Sequence, residues 1–335
     1  MDKTGFMADS LQYSSAQLAP FHIEPVFVAR VWGFRDLRPW YNRVADQDPI
    51  GEVWLTGDGC RVATGPRKGE KLGALFAAEH DALAGAGAPA GSPLLIKTIF
   101  AREKLSVQVH PDDAMARKYG EPHGKTECWY VLAAEPGAQV AAGLKPGTTL
   151  EQVRNEIAAG TLESSLNAIP VARGDMVFVD SGTVHSIGPG PILLETQQYS
   201  DTTYRMYDYG RPRELHIEKA LEATKLTTRA GKIAPQKLVD RTVLIDVEYF
   251  RVERIDVSGS RTSASLSGAG GKPGLAYLFA AEGAGRVSGA GFEAVNLPTR
   301  GIVAVPASSP EFVVEDASGP GEKLDLIRIT PNWPH

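Results

Sequence analysis

The chain has 335 residues, of which 43% are hydrophobic and 22% charged, with a formal net charge of −5. That length accommodates two domains and a sizeable core, and the composition is ordinary for a soluble globular protein. The negative balance argues against wholesale binding to nucleic acid, while a small anionic substrate would need a local basic cluster.

The 35 Gly and 23 Pro favour many tight turns and a strand-rich fold. The two cysteines, Cys60 and Cys128, are the usage of a reducing compartment rather than a disulfide framework. No apolar run approaches the roughly 20 residues that span a bilayer. MDKTGFMADSLQYSS lacks the basic start and hydrophobic stretch of a secretory signal. The expectation is a cytoplasmic protein that binds neither membrane nor nucleic acid, with residues 1–20 as a loosely ordered leader.

In chain order, PVFVARVWG (25–33) and IGEVWLTG (50–57) read as strands. Residues 69–85 carry a helical pattern in Leu72, Leu75, Phe76 and Leu83, and an Ala/Gly/Pro-rich loop follows at 84–93. PLLIKTIF and KLSVQVHP are consecutive strand candidates. DDAMARKYG reads as a short helix with Asp112 and Asp113 at its positive end. CWYVL is an apolar strand. Residues 148–168 switch to helical periodicity, with Thr148 or Thr149 as N-cap, and form a helical insertion.

Strands resume through VARGDMVFVDSGTVHSIG and PILLETQQYS, and RPRELHIEKALEAT (211–224) leads into a helix. Residues 225–240 read as a polar linker. YFRVERIDV, GLAYLFAAEG, GIVAVPA, EFVVEDA and KLDLIRITP then suggest a second sandwich or barrel. RGIVAVPASSPEFVV repeats the layout of RGDMVFVDSGTVHSI, with Ser309 and Pro310 near the place of His185. The expectation is a mainly β protein of duplicated barrels whose second copy lacks a metal. A metal-binding domain would cover 21–235 and a C-terminal β domain 236–335.

The chemistry centres on Gln108 and His110 in LSVQVHPDD, Glu127 in GKTECWYVL and His185 in DSGTVHSIG. Residues two apart on a strand share a face, so Gln108 and His110 reach one point together. Two imidazoles, a carboxylate and an amide oxygen suit a borderline divalent metal such as zinc, in a catalytic rather than structural site. A lone strand histidine is usually a hydrogen-bonded structural residue, and Gln108 alone could simply bond a neighbouring backbone. The combination carries the reading.

Lys125, two before Glu127, shares its face and is placed for proton transfer beside a cation, against the commoner reading of a solvated turn lysine. In SDTTYRMYDYGR (200–211), Asp201 and Arg205 interleave with tyrosines. The arginine could hold an anion or steady a developing oxyanion, or simply pair locally. Ser106 shares the face of Gln108. His22, His80, His123, His216 and His335 have no comparable context. GAGGKPG (268–274) lacks phosphate-loop spacing and reads as a turn.

From PVFVARVWG through QVHPDD, GKTECWY and SGTVH to QQYSDTTYRMYDYGR, over about residues 25–220, the chain resembles the type I mannose-6-phosphate isomerases, in their short bacterial form. Gln198 departs from an acidic residue frequent in that family, and the C-terminal third matches only in β character. The resemblance implies two cupin-type barrels with a helical insertion and one zinc ion held by Gln108, His110, Glu127 and His185. It also implies Lys125, Arg205 and Asp201 as the catalytic set. The implied reaction interconverts D-mannose 6-phosphate and D-fructose 6-phosphate through a cis-enediol. Lys125 and Asp201 are alternative general bases, and Ser106, Lys104 and Arg211 are the expected phosphate contacts. Rival readings are a metal-dependent isomerase of another sugar, a non-catalytic sugar-binding cupin and, less favoured, a metal oxygenase.

Overall fold

The computed structural model describes residues 17–257, 260–262, 266 and 274–332. Residues 1–16 of the expected leader, most of GAGGKPG and His335 lie outside them. Strands dominate and gather into four antiparallel sheets.

The first sheet has seven strands, in spatial order Gly231–Ile233, Met176–Val179, Glu127–Ala134, Pro191–Gln198, Leu94–Phe100, Ile50–Thr56 and Val26–Phe34. It faces a five-stranded sheet ordered Tyr204–Tyr207, Val107–Val109, His185–Ile187, Gln139–Leu144 and Leu166–Pro170. Trp32, Ile99, Trp129, Val140, Val177 and Leu193 pack between the two.

A second pair of sheets repeats the plan. Eight strands run Gln236–Lys237, Arg241–Asp246, Phe250–Ile255, Asp325–Pro331, Ala276–Glu282, Ile302–Val305, Phe21–Glu24 and Arg61–Val62. The four facing them are Ser260–Thr262, Phe312–Asp316, Gly285–Gly289 and Val295–Leu297. Leu278, Val287, Val303, Val314 and Leu326 fill that interior. The result is a mainly β, cupin-type architecture of two stacked sandwiches.

The stacking explains a feature of the sequence. A sheet with one wet face alternates apolar and polar residues, whereas one covered on both faces reads as a continuous apolar run. In Glu127–Ala134, Trp129 and Val131 join the first interior, while Cys128, Tyr130 and Leu132 join the core between the sandwiches. There they share a cluster with Phe250, Tyr277, Phe279 and Ile327 of the second sandwich.

Helices cover the outer face of the five-stranded sheet. Asp113–Lys118, Leu150–Ala159 and Ile217–Ala223 contribute Met115, Val153, Ile157 and Leu221, which pack with Val107, Val109, Val184 and Tyr204. Thr149 Oγ1 accepts Gln152 N at 3.1 Å and is the N-cap of the insertion helix. That helix ends at Gly160 in the left-handed region, with φ 72°. A 3-10 turn, Leu162–Ser165, completes the insertion.

Three features differ from expectation. The pattern over 69–85 forms two helices, Leu72–Ala78 and His80–Ala84, because Glu79 leaves helical geometry at φ −128°. The polar segment 225–240 supplies edge strands to both large sheets: Gly231–Ile233 pairs with Met176–Val179, and Gln236–Lys237 with Arg241–Asp246. Phe21–Glu24 and Arg61–Val62, expected in the metal-binding domain, belong to the eight-stranded sheet, with Phe21 opposite Ala304. Strand alternation marks which face is buried but not which partner buries it. No helix among the described residues is long and apolar enough to cross a membrane.

The shared core predicts coupled unfolding. Phe279→Ala, on the second sandwich, should cost about 3–5 kcal/mol. Urea unfolding followed by fluorescence of the first-sandwich tryptophans should shift accordingly. An unshifted tryptophan transition would refute the coupling.

Candidate metal centre and active-site cavity

Strand parity assembles the centre. Val107 and Val109 face the helical layer, so Gln108 points inward between the sheets. His185 lies directly opposite Gln108 on one neighbouring strand, and Arg205 opposite it on the other. Glu127 opens its strand in the facing sheet, paired with Val179 and Gln197. His110, Glu127 and His185 thereby bring their ligand atoms within 4.8 Å of one another. Each residue is 1% exposed.

Second contacts fix how the imidazoles point. His110 Nδ1 donates to Thr202 O at 2.9 Å, and His185 Nδ1 to Thr183 O at 2.8 Å. Both Nε2 lone pairs are left facing the centre. Each Nε2 lies 3.5 Å from a different oxygen of Glu127. Burial, reinforced by the neighbouring Lys125 charge, holds His110 well below the ordinary histidine range. Burial lowers His185 to about 4. Both rings are therefore neutral near pH 7, as metal ligation requires.

Lys125, also buried, places Nζ 2.9 Å from His110 Nε2 and 2.9 Å from Glu127 Oε2. The second approach lacks hydrogen-bond geometry, so Oε2 remains a buried oxygen without a hydrogen-bond partner. Two imine nitrogens and a carboxylate aimed at one point fit a borderline divalent cation. Gln108 adjoins them, with Nε2 3.3 Å from His185 Nε2 and Oε1 accepting Ser106 Oγ at 3.1 Å. Turning its amide end for end presents the oxygen to the centre, and the Ser106 hydroxyl serves either orientation as donor or acceptor.

The centre forms one wall of a cavity of about 340 Å³. Lys125, Asp201, Arg205 and Ser106 all line it. Arg205 is anchored by Nη1 donating to Glu214 O at 2.8 Å, and its Nε is buried without a partner. Lys104 and Arg211 are not among the lining residues. Lys104 Nζ pairs with Glu163 at 2.9 Å. Arg211 pairs with Asp208 and Glu103 at 3.2 Å each. Glu163 and Glu103, each far along the chain from its partner, pair with Lys104 and Arg211, which local sequence does not reveal.

The cavity also contains groups that sequence reasoning missed. Lys97 Nζ lies 2.8 Å from Glu195 Oε2 and 3.8 Å from Glu52 Oε1. Lys97 and Glu195 are cross-strand partners. Trp129 Nε1 donates to Glu195 Oε1 at 2.9 Å, and Arg30 Nη2 donates to Glu52 Oε2 at 2.9 Å. Burial alone would raise the Glu52 pKa, but Lys97 and Arg30 outweigh it and bring it down to about 2. Burial likewise opposes the charged form of Lys97, yet Glu195 and Glu52 hold its pKa well above the ordinary lysine range.

Arg213 reaches the cavity wall with its guanidinium held by Asp208 at 2.7 and 2.6 Å. A signal for the buried pair was available: LLIKTIF and PILLETQQ each carry one charge inside an otherwise uncharged strand.

Two stacked cupin-type sandwiches, with a buried His–Glu–His group opening on a polar cavity in the first, define a cupin-type protein with a candidate metal centre. No protein-family model matches the chain. The mannose-6-phosphate isomerase of Streptococcus mutans is 39% identical over 256 residues, covering 71% of this chain and 80% of that protein. The mannose-6-phosphate isomerase ManA of Bacillus subtilis is 37% identical over 257 residues, with 72% and 80% covered. The crystal structure of a mannose 6-phosphate isomerase from Bacillus subtilis superposes with a TM-score of 0.81 at 29% identity, over 93% of this chain and 99% of that one. The chain belongs to the mannose-6-phosphate isomerase family.

The buried imidazoles make the metal-free protein acid-sensitive. Its histidines bind protons near 6.5 when unfolded, whereas folded His185 resists until about 4. The unfolded state thus binds more protons between those values, and stability falls as the pH drops through that window. The urea midpoint of metal-free protein should be lower at about pH 5 than at about pH 7.5. His185→Gln should narrow the difference, and an equal shift in that variant would contradict the assignment.

Proposed function

We propose that this protein is a zinc-dependent aldose–ketose isomerase that interconverts D-mannose 6-phosphate and D-fructose 6-phosphate through a cis-enediol. One observation carries the reading: the buried His110–Glu127–His185 group opens on a cavity lined by Lys125, Asp201 and Arg205. The ion would be held by these three residues with Gln108. When bound, it would offset negative charge developing on the C1 and C2 oxygens of the sugar.

The chain's own groups move the protons. Isomerisation removes a proton from C2 of the aldose and returns one to C1, while hydroxyl protons exchange between O2 and O1. Lys125 and Asp201 both line the cavity, and either can act as the general base. The Arg205 guanidinium adds positive charge where the enediolate oxygens form. Lys97, held as an ammonium by two carboxylates, serves as a hydrogen-bond donor to substrate hydroxyls. Arg30 and Arg213, which line the cavity, and Ser106 supply charge and hydrogen bonds for the phosphate. Lys104 and Arg211, outside the lining, draw the anionic substrate toward the mouth. A cavity of about 340 Å³ suits a ligand of this size.

Elemental analysis of purified protein, with a coupled isomerase assay before and after chelation, tests the reading. Zinc at one ion per chain and activity that is lost on chelation and regained on readdition are expected. Full turnover in protein verified as metal-free would overturn the mechanism. Glu127→Ala should lose both metal and activity while the second sandwich stays folded. Lys125→Met should keep its zinc and lose at least about 100-fold in kcat; wild-type turnover would remove Lys125 from the chemistry. Comparing mannose, mannose 6-phosphate and glucose 6-phosphate as substrates tests the choice of sugar.

A further inference from the structure

Three successive backbone amides carry Lys125 to its place. Gly124 N donates to Asp113 Oδ1 at 2.7 Å, Lys125 N to Pro111 O at 3.0 Å, and Thr126 N to Gln198 Oε1 at 2.8 Å. Gln198 closes the arrangement. Its backbone N donates to Thr126 O at 3.1 Å, and its Nε2 to Asp113 Oδ1 at 3.0 Å. The approach is tight: a Cβ on Gly124 would lie 2.6 Å from the carbonyl carbon of Asp112 and 2.7 Å from Asp113 N. The segment bearing Lys125 therefore rests directly on the backbone that follows His110. Asp113 Oδ2 accepts Tyr249 OH, from the second sandwich, at 3.2 Å.

We propose that Asp113 is a positioning residue. Its carboxylate gathers Gly124, Gln198 and Tyr249 from three distant stretches of chain, and so sets where Lys125 Nζ sits against the His–Glu–His group. The second sandwich thereby contributes to turnover through the Tyr249 hydroxyl. Asp113 is not among the cavity-lining residues, so it acts through Lys125 rather than on substrate. Its helix is already capped by Asp112, whose Oδ1 accepts Met115 N at 3.0 Å. A lysine stem has four rotatable bonds, so the backbone from which it springs decides whether Nζ stays within hydrogen-bond reach of the reacting proton. A displacement of about 1 Å in such a group costs on the order of 100-fold.

This inference rests on the assignment of Lys125 above, and the experiment separates the two. In the zinc-loaded full chain, Asp113→Ala should lower kcat at least about tenfold, with KM and zinc content unchanged. Asp113→Asn should restore most of the loss. Its Oδ1 still accepts Gly124 N and Gln198 Nε2, and its amide can donate to the Tyr249 oxygen. Tyr249→Phe should give a smaller loss of kcat with zinc retained, and it decides the matter together with Asp113→Asn if the alanine variant does not fold. Wild-type kcat in Asp113→Ala or in Tyr249→Phe would overturn the proposal. So would equal impairment of the Asn and Ala variants, the mark of a simple charge at a helix end, or a loss of activity that tracks loss of zinc. Wild-type turnover in Lys125→Met would instead defeat the assignment of Lys125 on which this inference rests, and leave Asp201 as the base.

Discussion

A carboxylate at 1% exposure is the constraint around which the first sandwich is organised. Burying the charge of Glu127 is costly unless partners compensate it. Lys125 supplies a positive charge beside it, and the two imidazoles turn their Nε2 lone pairs toward the same point. Strands from both sheets must converge to bring these groups together. His185 and Gln108 come from the five-stranded sheet, His110 directly follows its Val107–Val109 strand, and Glu127 comes from the seven-stranded sheet. The gap between the sheets is thus both the interior of a sandwich and the place where charge has to be balanced.

The same rule orders the rest of the cavity. Lys97 sits between Glu195 and Glu52, Glu52 also holds Arg30, and Asp208 holds Arg213. Each of these buried charges finds an opposite one, and Lys97, Arg30 and Arg213 line the cavity together with Glu52 and Glu195. The interior of the second sandwich shows the alternative outcome. Glu253 and Arg328 are cross-strand partners, 0% and 2% exposed, with Arg328 Nε donating to Glu253 Oε2 at 2.8 Å. Arg251 Nη2 also lies 2.9 Å from Glu253 Oε1, and no metal-ligand group accompanies these residues among those described. Two similar frameworks therefore differ in what surrounds a buried carboxylate: imidazoles and a lysine about Glu127, arginines about Glu253.

Stacking the sandwiches has a further consequence. The large sheets share one core, so central strands such as Glu127–Ala134 and Leu94–Phe100 have no wet face. The contact at Tyr249 extends that union to the turn carrying Lys125. Tyr249 thus joins the second sandwich to Asp113, which in turn accepts Gly124 N beside Lys125.

Much of this was legible in the residues themselves. Period-two alternation placed Ser106, Gln108 and His110 on one face, CWYVL read as an apolar strand, and Thr148 or Thr149 marked the start of the insertion helix. Such signals are local: they depend on side-chain direction along a strand or on a cap one turn away. The partners of Lys97, the pairing of Lys104 with Glu163 and of Arg211 with Glu103, and the passage of Phe21–Glu24 into the opposite sandwich are relations between residues far apart in the chain. Tertiary structure alone decided them, because an ion pair or a strand ladder depends on distance in space, which spacing along the polypeptide does not encode.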